Sequence, residues 1–294
     1  MPSFKKAIVQ LHVFVFLAGL TGPIGNYIQL NGLTLVFYRM GITSIVAVSI
    51  YLLNKQKSFT TLRTKLKLIG VGMLIALHWV CFYSSIKLAN VSIALVCFSS
   101  IGLFTVLLEP ILTKAKFKWD ELFIGLISLL GILLIFQFDM NYRQGILVGL
   151  LSSFIAALFT IFNKKLTNNT APQTIQTFEM LGGFGFLAII VLFLNKVQGN
   201  AFVLPTSSDW IWLLILALAC TVWANYLMLS SLKHISAFTL NVTLNLEPVY
   251  GILLAFILFH EQKMLGFSFY IGLALIALSV LIQMKRVIRQ DKQI

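Results

Sequence analysis

Apolar runs of about 20 residues, the length a helix needs to cross a bilayer, recur along the whole chain. Ten can be marked, at roughly 7–25, 33–53, 67–87, 91–112, 121–138, 144–163, 174–195, 209–230, 235–258 and 265–284. The pattern predicts an all-α integral membrane protein with ten transmembrane helices. The links are short, which suits a compact bundle. The longest polar link, NKVQGNAFVLPTSSDW, joins the seventh and eighth runs. The first run, within MPSFKKAIVQLHVFVFLAGL, resembles a signal peptide. It goes on too long and lacks a small-x-small cleavage site, so it reads as the first membrane helix.

Composition agrees with this reading. The chain has 294 residues, of which 59% are hydrophobic and 11% charged, and its mean hydropathy is +0.94. Soluble domains carry about 25% charged residues, so a water-soluble fold of this size would lack the polar surface to cover itself. The net charge of +13 does not indicate a nucleic-acid partner, because the basic residues sit in short clusters between apolar runs. Those clusters orient the chain instead. With the N-terminus in the cytoplasm, seventeen of the 22 Lys and Arg residues fall on the cytoplasmic side. They include Lys5 and Lys6, Lys55 to Lys67, Lys114 to Lys118, Lys164 and Lys165, and Lys285 to Lys292. Only Lys87, Arg143, Lys196 and Lys263 fall outside, and Arg39 lies within the second run. Both termini are therefore predicted cytoplasmic, in a multi-pass protein of a bacterial-type inner membrane. The three cysteines, Cys81, Cys97 and Cys220, all lie in apolar runs and form neither a disulfide framework nor a zinc pattern.

The two halves of the chain resemble each other. Shifting the first by 147 residues brings SIKLANVSIALVCF near SLKHISAFTLNVTLN, with a one-residue slip, and lays Gly125 on Gly272. A shift of 140 lays Tyr38-Arg39-Met40 on Phe178-Glu179-Met180. Each half, 1–140 and 141–294, holds five runs. An odd number makes the second half enter the membrane upside down relative to the first. Inverted repeats of this kind are a common transporter plan, with the substrate site near the midplane between the repeats.

The stretch LEPVYGILLAFILFHEQKMLGFSFYIGLALIALSVLI, with Pro248, Glu261 and Gly272, resembles the second-repeat signature of the drug/metabolite transporter superfamily, in its EamA-type ten-helix branch. HWVCFYSSIKLANVSIALVCFSSIGLFTVLLEPILTKAKF is similar to the first-repeat counterpart, and the resemblance covers nearly the whole chain. One departure is that Ile101 stands at the position equivalent to Pro248, and the Glu109-Pro110 pair comes later, so the halves need not bend alike. The resemblance implies export or exchange of small metabolites, often amino acids, through a cavity lined by helices of both repeats. It also implies that the fifth and tenth helices are peripheral.

Candidate residues follow from polar groups at membrane depth. Glu247 lies near the middle of the ninth run, where an ionised side chain costs about 2.5–3.5 kcal/mol on insertion scales. It should face a wet cavity, find a partner or stay protonated. Pro248 has no N–H, so the Leu244 carbonyl loses its α-helical donor, and the pair predicts a locally opened helix. Thr243, Glu247 and Tyr250 share a stripe, and Asn241, Asn245 and Pro248 form another. Mid-membrane His78, with Trp79 and Tyr83, is a candidate shelf for a carboxylate, an aromatic ring or an amine. The competing role for His78 is an interhelical hydrogen bond, with Glu247 as one acceptor. Repeat matching puts His78 opposite Asn225 and Trp79 opposite Tyr226; Trp223 and Asn225 on the eighth run are further candidates, although Trp near a helix end is also an interfacial anchor. Ser99 and Ser100 fall where the repeat places Leu246 and Glu247, as substrate contacts or packing glue. Arg39 and Glu179 read as gates, one for each side, or as anchors that snorkel to the headgroups. Gly182, Gly183 and Gly185 permit close helix approach, and Gly22-Pro23 bends the first helix to help an outer gate, or both serve plain packing or helix termination. Glu109 and Glu261, near helix ends beside lysines, read as solvated or interfacial charges.

No phosphate-cradling loop, metal-ligand spacing or nucleophile motif appears, so neither an enzyme nor a cofactor nor a metal is expected. The leading reading is a secondary transporter of small organic metabolites, exporting or exchanging amino acids by alternating access, its partners being a small-molecule substrate and the bilayer. Proton coupling through Glu247 or His78 and plain facilitation both stay open, as does the oligomeric state. The alternatives are efflux of drug-like or cationic aromatic compounds on the same fold, and a non-transporting membrane scaffold.

Overall fold

The structure is a computed structural model that describes residues 2–53, 60–138, 140–198 and 203–291. The polar links 54–59 and 199–202, and the side chain of Asn245, lie outside the described residues. Every regular element described is helical. The first half contains α1 (Pro2–Gly19), α2 (Thr21–Tyr27), α3 (Gly32–Leu53), α4 (Leu62–Leu88), α5 (Val91–Phe98), α6 (Ile101–Thr113) and α7 (Trp119–Phe138). The second contains α8 (Arg143–Thr167), α9 (Pro172–Gln198), α10 (Ser207–Ala217), α11 (Ala224–Leu232), α12 (Ala237–Thr243), α13 (Glu247–Phe259) and α14 (Phe267–Asp291). A π-helical turn over Leu218–Trp223 joins α10 to α11, and a 3₁₀ turn over Leu244–Leu246 joins α12 to α13.

Among the described residues, seven helical runs are long and apolar enough to cross a membrane: 4–27, 32–53, 62–88, 91–113, 143–167, 172–197 and 207–232. The other three expected spans correspond to α7, to α12 and α13 with the interruption between them, and to α14, where Phe267–Ser279 is the apolar part. Many helices are apolar on their outer faces as well as their inner ones. Ile45, Leu53, Ile189 and Ile257 are each strongly exposed, as expected of surfaces that face lipid.

Local signals set many of the ends. Thr61 accepts from the Thr64 N–H at the start of α4, Asn90 from Ile93 at the start of α5, and Thr206 with Asp209 forms a capping box on α10. Lys114 and His260 end α6 and α13 in the left-handed region, with φ of 59° and 54°.

Three long runs are broken. Pro23 removes the donor that the Gly19 carbonyl would take, and α1 stops at Gly19. Before Pro248 the helix tightens, so the Leu244 carbonyl does not stay free: the Glu247 N–H reaches it within the 3₁₀ turn. The matching place in the first half is broken as well. There α5 and α6 separate at Ser99 and Ser100 without any proline. The Cys97 carbonyl at this break accepts from the Ser100 N–H (3.1 Å), the Ser100 hydroxyl (2.7 Å) and Ser153 Oγ of α8 (3.0 Å). Serine hydroxyls here do what a missing N–H does at Pro248: they redirect a backbone carbonyl.

Two of the broken runs cross tightly. A Cβ added to Gly19 would lie 2.8 Å from Tyr250 Cβ and 3.2 Å from the Glu247 carbonyl. Only glycine lets α1 and α13 approach this closely. On the other side of the bundle, α4 packs against α8 and α9. A Cβ on Gly72 would collide with the Glu179 carbonyl, and Gly182 and Gly183 meet Ile69 and Met40. Gly185, expected to serve the same contact, faces open space instead. The helices α7 and α14 pack mainly on each other, through Gly131 against Gly272 and a Ser128–Ser279 hydroxyl pair (2.5 Å).

Candidate functional site

A cavity of about 70 Å³ lies inside the bundle, room for several waters. Its walls come from α1, α2, α3, α4, α5, α6 and α8, the π turn, α11, the 3₁₀ turn and α13, and so from both halves of the sequence. Larger hollows of about 360–460 Å³ lie near helix ends among Lys67, Lys165 and Lys233. The central cavity differs from these in gathering Arg39, His78, Asn225 and Glu247 on aromatic walls.

Helix α4 supplies one wall through Ile75, His78, Trp79 and Phe82, the i, i+3, i+4, i+7 spacing that puts side chains on one helical face. His78 is fixed from α8. Ser152 Oγ donates to the His78 carbonyl (3.0 Å), and the ring Nδ1 lies 3.0 Å from the Ser152 carbonyl and 2.8 Å from its hydroxyl. With the hydroxyl proton committed to the His78 carbonyl, Nδ1 carries the hydrogen that bonds Ser152. The ring also sits among Phe82, Phe98 and Phe159, at centroid distances of 6.3, 5.5 and 5.5 Å. Its partner is Ser152, in place of the Glu247 considered from sequence.

Glu247 enters from the opposite side, as the first residue of α13, and is 4% exposed. The 3₁₀ turn places its carboxylate at a new helix start, where the backbone dipole favours negative charge. Among the described residues no donor is hydrogen-bonded to this carboxylate.

Arg39 corrects the expectation of a snorkelling anchor, because it is 2% exposed and lines the cavity. Its Nε donates to Thr221 Oγ1 (2.7 Å), Nη1 to the Tyr83 hydroxyl (2.8 Å) and Nη2 to the Cys220 carbonyl (3.2 Å). The guanidinium carbon stands 3.8 Å from the Trp79 ring centroid, a cation–π contact. The π turn makes this seat. Thr221 Oγ1 donates five residues back to the Leu216 carbonyl (2.7 Å), and Gln176 of α9 donates to the Val222 carbonyl (2.8 Å). Backbone oxygens loosened by the π turn thus take donors from α3 and α9.

The other candidates divide. Asn225 lines the cavity. Tyr83 is fully buried behind it and holds Arg39. Ser99 and Ser100 are buried, and their hydroxyls bond to the Leu95 and Cys97 carbonyls of their own run, away from the cavity. Thr243 donates to the Thr239 carbonyl. Tyr250 packs edge-on against Phe16 at 5.6 Å, at the α1–α13 crossing. Pro248 is buried next to Glu247 in the chain and does not line the cavity. Trp223 is 53% exposed on the outside of the bundle, which corrects its expected place in the lining. Glu179 is also no snorkelling anchor: it is 1% exposed, and its Oε1 has no hydrogen-bond partner within bonding geometry among the described residues.

Three residues gain importance that sequence reasoning missed. Thr221 and Ser152 are unremarkable hydroxyls in sequence, and no local signal marks them. Glu261, by sequence a solvated or interfacial charge, is buried. Its carboxylate accepts from the Val91 N–H (3.0 Å), the Ser92 N–H (2.9 Å) and the Ser92 hydroxyl (2.6 Å), capping α5 from the other half. Asp209 makes a similar tie through the Gln29 N–H (2.8 Å).

The family model for the EamA-like transporter family matches residues 5–137 and again 143–284. The chain is 24% identical over 296 residues to the uncharacterized transporter YetK of Bacillus subtilis (strain 168), covering 93% of this chain and 88% of that protein. It is 23% identical over 194 residues to the uncharacterized transporter sll1164 of Synechocystis sp. (strain ATCC 27184 / PCC 6803 / Kazusa), covering 61% of this chain and 54% of that one. A crystal structure of a protein shares the fold with a TM-score of 0.69 at 16% identity, covering 94% of this chain and 96% of that one.

Proposed function

The chain belongs to the EamA-like transporter family of multi-pass membrane proteins, and from that premise we propose that it is a secondary transporter that exports or exchanges amino acids by alternating access. One observation carries the proposal: a cavity lined from both halves gathers a buried cation, Arg39, and a buried carboxylate, Glu247, with the Trp79 ring. An amino acid presents both charges at once. An organic cation would find the Trp79 face already occupied by a guanidinium.

The proposal includes an architecture. Ten helices cross a bacterial inner membrane as two inverted five-helix repeats, 1–140 and 141–294, with both termini in the cytoplasm. Three features support it: the tandem family matches, the seventeen-to-four Lys and Arg bias, and the correspondence of the two central breaks. Under the 147-residue shift, Ser99 and Ser100 overlie Leu246 and Glu247. The halves would rock about the cavity, and Glu247 would exchange the coupling proton.

Counterflow in proteoliposomes tests this, with threonine, methionine, phenylalanine, nucleosides and aromatic cations. Preloaded amino acid should accelerate uptake of its own label. Glu247→Gln should lower the rate by roughly tenfold, the worth of one charge-assisted contact, and flatten its pH profile. Exchange confined to cations would overturn the amino-acid reading. No exchange of any solute by folded protein would overturn transport itself.

A further inference from the structure

Resting on that transporter reading, we infer that Arg39 is the carboxylate receptor of the cavity and Glu247 its ammonium receptor. The cargo therefore carries a free carboxylate next to its amine. The bonding of Arg39 points this way. A guanidinium has five N–H donors. Among the described residues, the three bonds to Thr221, Tyr83 and the Cys220 carbonyl leave one N–H on each terminal nitrogen, and a carboxylate takes such a donor pair in a bidentate contact. The three acceptors are all neutral, so among the described residues no carboxylate neutralises this buried cation. Glu247 shares the cavity and lies within electrostatic reach of Arg39. Yet the ion pairs present among the described residues are at Lys118, Glu121, Asp120 and Arg286, and none joins Arg39 to Glu247. A purely structural pair would be expected to close on itself, because breaking up a buried pair is costly. Two opposite charges held apart across a hollow are instead arranged for a ligand that is itself charged at both ends.

The site is also built to hold Arg39 still. Trp79 stacks on it, and the hydroxyls of Tyr83 and Thr221 and the opened backbone of the π turn fix the plane of the guanidinium. Pre-orientation of this kind gives selectivity, because a cargo lacking the matching group leaves the buried donors unpaired.

Counterflow with matched sets tests the inference: threonine, methionine and phenylalanine, each beside its amide and its decarboxylated amine. In wild-type protein the apparent KM should rise roughly 10- to 100-fold for the amide and the amine, the range for losing a charged hydrogen-bond pair. In Arg39→Gln the gap should close, with the parent amino acid losing most. Tyr83→Phe and Thr221→Val keep the charge and loosen its seat. They should raise KM for the parent while leaving the amine nearly unchanged, and they serve if Arg39→Gln fails to fold. Equal exchange of amide, amine and parent in wild type, or a gap that persists in all three variants, overturns the carboxylate assignment while transport stands. No exchange of any member overturns the transporter reading and this inference with it.

Discussion

Arg39 is expensive to bury, and its neighbours explain why it stays. A charge removed from water needs hydrogen bonds to replace its hydration, and Thr221, Tyr83 and the Cys220 carbonyl provide three. Thr221→Val removes one acceptor and also frees the Leu216 carbonyl from its hydroxyl donor. It should destabilise the folded protein by roughly 1–3 kcal/mol, read as an earlier thermal unfolding midpoint in detergent. The sequence marks Arg39 as a charge within an apolar run but does not say which way it points. Its direction is decided by Tyr83 and Thr221, which lie 44 and 182 residues away in sequence. Trp223 fails for the same reason. Placing a helix in the membrane leaves its rotation open, and packing turned Asn225 inward and Trp223 outward.

The elements show a similar division between local and remote causes. The break before Pro248 is readable because a missing N–H is a property of one residue. The matching break at Ser99 and Ser100 is not, because serine redirects a carbonyl only where the surroundings agree, here with help from Ser153 on α8. Glu261 is the clearest misreading. A glutamate near a lysine at a helix end looks solvated until the fold sets α5 against it. Glu261→Ala would leave three donors of Val91 and Ser92 without their acceptor. It should cost roughly 2–4 kcal/mol in thermal unfolding, because hydrogen bonds to charged groups are the stronger kind. Glu261→Gln, which keeps one carbonyl oxygen, should lose less. Equal stability of wild type and Glu261→Ala would mean that this cap contributes nothing.

For the whole molecule, the all-helical membrane class was legible because hydropathy over twenty residues is an average that few local accidents can disturb. The cavity was not. Glu247 and His78 were visible as polar residues at depth, but the hollow between them depends on α1 and α13 crossing at Gly19 and on a π turn that nothing in the sequence announces. We propose that this hollow is the chamber through which cargo passes. Cys220 lines it, while Cys81 and Cys97 stay outside the lining, so a natural reporter is already in place. In a Cys81→Ser, Cys97→Ser background, a small cationic methanethiosulfonate should modify Cys220 in reconstituted protein. A saturating amount of an amino acid that exchanges in counterflow should slow that modification several-fold. A Cys220 that does not react in protein that still transports, or that reacts at the same rate with and without cargo, would contradict the account.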